Sequence, residues 1–483
     1  MGGLISGAMA ILAEQSTGRG SEGVVLAAAP MAAALGAESL RQGGNAFDAV
    51  VTAALAETVL LPPKCGLAGD LVALRLRSGE KEPEALLAIG GAPRRLAKVA
   101  ERGELEPTGP TSVGVPGAPA GYDLLASEGV LGRSRLAAGA IRLARGGFPW
   151  AQICTALAIE SADLVERHNP EGTIYFPDGA PFSPGQLVRL PGMANLLDEW
   201  VRRGNELFWG GIGEIVAGSV IRRGGILEAG DFRSVKAAWE RPATGEIGNR
   251  RLWATPAPTH GPSLIEALAD AEPGEGAGAL WDRIQKVITG RSDLLSDRSG
   301  TSMVSAADAA GNMVVVIHSN SFPRFGSGLV VDEFDLILNN RPGRGFTSEA
   351  GHPNFPAPGK RPATTLHTWA ISDSGGEPQF LGGTPGGENQ MPWNAQMLSQ
   401  IISGEVDPGA LVVSPRWELL ADGGVGIEEG FEGLEDLRAR VPQTKVVPPL
   451  DLRCAQQVVA RPRAGAVIVG AVDPRTGGAA VGV

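Results

Sequence analysis

The chain has 483 residues, 43% of them hydrophobic and 20% charged, with a formal net charge of −11 at pH 7. That length admits about two to four domains, or one large layered domain with embellishments. The acidic balance excludes the basic footprint of a nucleic-acid-binding protein, and the 69 glycines and 36 prolines stay below the fraction typical of low-complexity disorder.

Three cysteines, Cys65, Cys154 and Cys454, are too few and too scattered for a disulfide framework or a paired-cysteine metal site. The first twenty residues carry no basic residue before Arg19, and Glu14 breaks their apolar run, which reads against a secretory signal. AFDAVVTAALAETVLLP contains Asp48 and Glu57 and ends in Pro62-Pro63, so a buried helix is expected there rather than a membrane span. No membrane or nucleic-acid partner is expected, and a reducing, cytoplasmic location is.

In chain order, residues 23–61 read as a short strand and two helices separated by Gly43-Gly44, with Asn45 as a cap. Residues 117–147 have apolar positions three and four apart and end at a Gly-Gly-Phe-Pro stop; a helical stretch follows over 148–167. Further helices are expected over 186–203 and 280–295. From Thr301 the texture changes to strands. Residues 301–307, the turn DAAGN and residues 313–318 read as a hairpin, and 328–338 as a strand. Residues 366–372 with 379–381 read as another hairpin, and 458–460 and 464–472 as the last strands. A helix-rich first part and a strand-rich second part imply helices layered on sheets.

Several stretches stand out from this background: GGNAFDAVVTAAL (43–55), SVGVPGAPAGYDLL (112–125), GGILEAGDF (224–232) and GTSMVSAADAAGN (300–312). They are followed by FGSGL (325–329), LILNN (336–340), KRPATT (360–365), GGTPGG (382–387) and DPR (473–475). In this order they resemble the γ-glutamyltranspeptidases, a family of N-terminal-nucleophile (Ntn) hydrolases. The resemblance implies an α+β fold, a four-layer αββα sandwich, whose precursor cuts itself between Gly300 and Thr301. Residues 1–300 would become a large subunit and 301–483 a small one, associated as an αβ heterodimer or a pair of them, (αβ)2.

The same resemblance makes Thr301 the nucleophile and its freed α-amine the base, since an amine with a reference pKa of about 7.7–8.0 is partly unprotonated near neutrality. It makes Ser319 the hydroxyl that orients the nucleophile, and Gly386 and Gly387 the backbone donors of an oxyanion hole. Asn320 or Ser321 takes the place of a polar neighbour, and Thr364 and Thr365 replace a Ser-Ser pair that holds substrate. No cofactor or metal is implied.

Three departures bear on substrate. The family's carboxylate-binding arginine corresponds to Ile89 in LLAIGGAPRR, and the acid expected after LNN is missing from NNRPGRGF, where Arg341 and Arg344 stand instead. The family's histidine two residues after the nucleophile is Met303. Losing both glutamyl clamps argues against γ-glutamyl transfer, because each charge-assisted bond is worth roughly 1.5–3 kcal/mol. The expectation is a small acidic acyl substrate, oxalyl-like, cleaved at an amide or at a C–C bond next to a keto acid. A true γ-glutamyl hydrolase or transpeptidase and a non-catalytic binding relative are the alternatives. GGTPGG lacks the Lys-Ser/Thr that would follow in a P-loop. His168, His260, His318, His352 and His367 have no metal spacing, although His318 and His367 fall near site segments.

Overall fold

The computed structural model describes residues 2–291, 300–463 and 465–483. Its central feature is the hairpin Thr301–Asp308 and Met313–Ser319, buried at every position. Gly23–Ala27 pairs with one side of the hairpin and Asp70–Leu76 with the other. These strands form the middle of an antiparallel seven-stranded sheet that runs from Ala479–Gly482 to Trp239–Glu240. A second antiparallel seven-stranded sheet runs from Thr17–Gly20 to Ala243–Ile247 and contains Thr368–Ser372, Pro378–Gly383 and Gln457–Ala460.

The strand period of two distributes side chains between different interfaces. Met303, Ala307, Met313, Val315 and Ile317 pack against Trp253, Ala370, Leu381 and Val459 between the two sheets. Val304, Ala306, Val314 and Val316 point the other way, onto an α layer that includes Ala46–Leu60. Trp369, Ile371, Phe380 and Val458 cover the outer face of the second sheet together with Gly261–Leu268, Ala277–Gly290 and Gln390–Ile402. Three apolar interfaces separate four layers, so the αββα expectation holds. Covering both faces also explains why the hairpin reads as nearly continuous apolar sequence rather than clean alternation.

The helix Ala46–Leu60 is buried along its whole length. Asn45 caps it, accepting from the Phe47 and Asp48 amides, while the Asp48 carboxylate accepts from the Asn45 amide at 2.9 Å. Asp48 also accepts from Val130 and Leu131, at 2.9 and 3.0 Å. Asp308, at the turn of the hairpin, accepts from the Ala46 amide at 2.8 Å. The Gly-Gly-Asn cap read in the sequence is therefore also a junction between helix layer and hairpin.

Local details differ from expectation. The 117–147 stretch is two helices, Ala118–Ala126 and Arg133–Gly146, and the 148–167 stretch is a two-residue strand followed by Gln152–Glu160 and Ala162–His168. Over 186–203 a short strand, Leu187–Val188, precedes Pro191–Arg203, whose start is set by a proline in its first turn. Residues 328–338 form two dipeptide strands, Val330–Val331 and Leu336–Ile337, around a turn in which Asp335 has φ 50°. Ala277–Gly290 ends before residues 292–295, which lie outside the described residues, as does Ala464. The last strand of the second sheet is Ile468–Val472. Among the described residues no helix is long and apolar enough to cross a membrane.

Asp48→Ala takes the acceptor from three partly buried amides and a buried helix start, and the expected outcome is a loss of about 2–4 kcal/mol in urea denaturation. A change under 0.5 kcal/mol would show that the junction contributes little.

Candidate active site

Thr301 opens its strand directly opposite Ser319, and Ser319 lies opposite Asp70 on the next strand. Directly paired residues share a face, so the three side chains form a row across the sheet, on the face turned toward the second sheet. The row continues beyond Leu71↔Ala88 to Ile89, with the Gly90 amide donating to Asp70 Oδ1 at 3.0 Å.

The Thr301 hydroxyl donates to Ser319 Oγ at 3.1 Å, and the Ser319 hydroxyl donates to the Gly300 carbonyl at 2.8 Å. Ser319 Oγ also accepts from the Ser321 amide at 2.9 Å, which uses its full hydrogen-bonding capacity. A side chain on Gly300 would put Cβ 2.4 Å from the Ser321 carbonyl oxygen, so only glycine fits before Thr301. Ser321 itself holds φ 75°, an uncommon conformation for a non-glycine residue. Its hydroxyl and the Asn320 Oδ1 are buried without a partner among the described residues, while Asn320 Nδ2 donates to the Pro62 carbonyl.

The facing wall comes from the second sheet. The pairs Thr368↔Gly383 and Gln457↔Gly383 put Thr364-Thr365 and Gly386-Gly387 beyond one end of these strands. Gln457 bridges the sheets at that end: it accepts from Ser305 at 2.8 Å and donates to the Met303 carbonyl at 2.7 Å. Thr301 is two residues beyond Met303, so the predicted nucleophile and the glycine loop converge on one side of the sandwich. A Cβ on Gly386 would lie 2.3 Å from the Trp393 ring, and the residue has φ 150°. Thr364 is tied down by its own turn, its hydroxyl accepting from the Leu366 amide and its amide donating to the Pro258 carbonyl.

Sequence reasoning missed Gln390. With its amide turned to satisfy both ends, Gln390 accepts from the Gly387 amide and donates to the Thr384 and Thr365 carbonyls, each at 3.2 Å. This fully buried side chain thus holds the glycine loop against the Thr365 segment. Behind it, His367 Nδ1 bonds the Thr365 carbonyl at 2.9 Å and His367 Nε2 bonds Asn394 Nδ2 at 2.9 Å. His367 faces the site only through the backbone.

Arg341 and Arg344 sit on the short helix Arg341–Gly345 rather than in a solvated loop. Arg341 is buried and its Nε donates to Asp70 Oδ2 at 2.9 Å, leaving Nη2 buried without a partner among the described residues. Burial pushes the Asp70 carboxyl above its ordinary value, against the opposing pull of Arg341 and the Gly90 amide. The expected reversal of charge in this loop is therefore partial, because Asp70 answers Arg341. Asp70 had no signal in the sequence beyond its place at the start of a strand. Arg344 makes no ion pair with a described residue; its guanidinium lies 5.5 Å from the Phe322 ring, with Nε and Nη2 buried and unpartnered.

His318, near a site segment by sequence, is a structural residue. It points into the helix layer, where Nδ1 bonds Tyr122 Oη at 2.6 Å and Nε2 bonds Glu57 at 2.9 Å. Cys65 stands near this pair, and ligand atoms of Glu57, Cys65 and His318 lie within 4.8 Å of one another. Burial, then the Glu57 charge, pushes the Cys65 thiol well up, and both histidine nitrogens already have partners. The cluster is a satisfied hydrogen-bond network tying two helices to the strand that carries Ser319.

A family model described as gamma-glutamyltranspeptidase matches residues 32–273 and 282–483. The glutathione hydrolase-like YwrD proenzyme of Bacillus subtilis is 23% identical, with 96% of this chain and 99% of that protein aligned. The oxamate amidohydrolase proenzyme of Klebsiella pneumoniae is 27% identical over 92% of this chain and 95% of its own. Among solved structures, the cephalosporin acylase from Bacillus halodurans superposes with a TM-score of 0.85 at 25% identity, covering 97% of each chain.

Burial depresses the His367 pKa to about 4, outweighing the Thr365 hydrogen bond, whereas the unfolded chain would protonate it near 6.5. Its contribution to stability is complete above pH 6.5 and is lost as the pH falls toward 4, in all about 3 kcal/mol. In urea melts, His367→Gln is expected to show a correspondingly shallower decline over that window. Identical slopes would mean that the native state protonates His367 as readily as the unfolded chain.

Proposed function

The chain belongs to the gamma-glutamyltranspeptidase family and is a hydrolase of its Ntn type, and from that premise we propose that it cuts itself at Gly300–Thr301 and then hydrolyses a small acidic amide. Self-cleavage begins with attack of Thr301 Oγ1 on the Gly300 carbonyl carbon. The Ser319 hydroxyl, already bonded to that carbonyl oxygen, stabilises the charge that develops there. The C–N bond breaks and the Thr301 nitrogen takes the hydroxyl's proton to become a free amine, and water then hydrolyses the resulting ester to free the Thr301 hydroxyl and a Gly300 carboxylate. Residues 1–300 and 301–483 remain one sandwich, since both pieces supply strands to both sheets.

In the mature site the Thr301 amine takes the hydroxyl proton as Oγ1 attacks the substrate carbonyl. The Gly386 and Gly387 amides receive the oxyanion, with Gln390 giving up its bond to Gly387, and such a donor typically supplies about 3–4 kcal/mol. The amine departs with the proton, and water then cleaves the acyl-Thr301 ester. Two relatives named as proenzymes support the self-cleaving reading.

The substrate reading rests on one observation: Arg341, paired with Asp70 in the row Thr301, Ser319, Asp70, and Arg344, against Phe322 three residues beyond Ser319, both have buried N–H groups without a partner among the described residues. Arg341 reaches this row next to Ile89, through Asp70, and so supplies a cation where that position lacks one. Such donors favour a carboxylate on the acyl part. Asp70 is already paired with Arg341 and bonded by the Gly90 amide, so its charge is largely answered and it is a weaker partner for a glutamyl ammonium group than a free acid would be. An oxalyl amide is the smallest acyl of this kind, in keeping with the relative named as an oxamate amidohydrolase. The names amidohydrolase and acylase favour an amide over a C–C bond.

A panel of oxamate, succinamate, acetamide and a γ-glutamyl anilide tests this assignment. The acidic amides are expected to be preferred, and Arg344→Ala to lower their kcat/KM by roughly 10–100-fold, the equivalent of one charge-assisted bond. Equal cleavage of acetamide, with no loss in the variant, would refute the acidic-acyl reading.

A further inference from the structure

We propose that Gln390 is a positioning residue that makes the oxyanion loop selective for the transition state, and that Thr365 works through Gln390 rather than on the substrate. The inference rests on the reading above of the Gly386 and Gly387 amides as oxyanion donors.

Gln390 opens the helix Gln390–Ile402, three residues after Gly387. With its amide turned to satisfy both ends, the nitrogen donates to the Thr384 and Thr365 carbonyls at 3.2 Å each. The oxygen accepts from the Gly387 amide at 3.2 Å and from the Thr365 hydroxyl at 3.3 Å. Two donors and two lone pairs are thereby all used, as a buried amide requires. A glutamine that reaches back three residues to a backbone amide is also an ordinary helix cap, but a cap accounts only for the bond to Gly387. The other bonds join Thr365 and Thr384, which stand just outside the two ends of the hairpin Thr368–Ser372 and Pro378–Gly383.

The Gly387 amide therefore has a neutral acceptor before any substrate arrives. A substrate carbonyl is neutral too, so replacing Gln390 by it gains little. An oxyanion is charged, and its bond to the same amide is roughly twice as strong as a neutral one. The exchange thus favours the tetrahedral state over the bound substrate, which is the condition for raising kcat rather than only lowering KM. Thr365 completes the exchange. When the oxyanion takes the Gly387 amide, Gln390 keeps the Thr365 hydroxyl as a donor and is not left as a buried carbonyl without a partner. Self-cleavage uses none of these groups, because the Gly300 carbonyl is already held by the Ser319 hydroxyl.

The test measures kcat and KM for the best acidic amide of the panel in Gln390→Met, Thr365→Val and the double variant, beside the rate at which each precursor cuts itself. Methionine fills the space and removes the acceptor, so the substrate carbonyl gains a free amide: KM is expected to fall about threefold and kcat about tenfold. Thr365→Val is expected to lower kcat about tenfold in the native background but less than about twofold beside Gln390→Met, since groups that act as one unit are non-additive. All three precursors are expected to cut themselves at the native rate, which also reports that they fold. A rise in KM with kcat unchanged, losses that multiply in the double variant, or slowed self-cleavage would each overturn the proposal while leaving the acyl reading intact. No product from any panel member with self-cleaved native protein would overturn both.

Discussion

Thr301 and Ser319 face each other across adjacent antiparallel strands, and their hydroxyls form a chain that ends on the Gly300 carbonyl. Three constraints meet at this point. Both strands are buried on both faces, so the pair has no freedom to slide without turning its side chains to the opposite layers. The Ser321 carbonyl leaves no space for a side chain at residue 300. The helix Ala46–Leu60 is fastened to the hairpin turn by Asp308 and to its own start by Asp48. A strand end that would fray in an isolated hairpin is thereby held as rigidly as the core.

At one end of the same row, toward Asp70 and Arg341, the groups are buried, charged and directional, suited to an anion whose position must be fixed. Under the proposed chemistry, holding the acyl end of a substrate there lets binding energy orient the reacting carbonyl. Asp70 tempers the proposed anion site: it keeps Arg341 from being an uncompensated buried cation while Nη2 stays without a partner among the described residues.

Much of this was legible in the sequence because it depends on local chemistry. Asn45 and Asp48 form a capping pattern, DAAGN is a turn, and Gly386 of GGTPGG stands where only glycine fits against Trp393. The ordered motifs carried the layer architecture, which periodicity alone did not reach. What stayed hidden is non-local. Asp70 acquires its meaning from a register with Ser319 nearly 250 residues away along the chain, and Gln390 from a loop that folds back onto Thr365. His318, one residue before Ser319, stays structural because strand alternation sends it to the helix face while Ser319 faces the other sheet. The strands Asp70–Leu76 and Arg250–Ala254 carry arginines, and their outlines emerge only from pairing.

The most direct measurement is the intact mass of freshly purified protein under denaturing conditions, run beside Thr301→Ala. The account predicts two chains, residues 1–300 and 301–483, in the native protein and one uncut chain in the variant. A native protein that stays whole over days, or a Thr301→Ala variant that is cut at the same place, would contradict it.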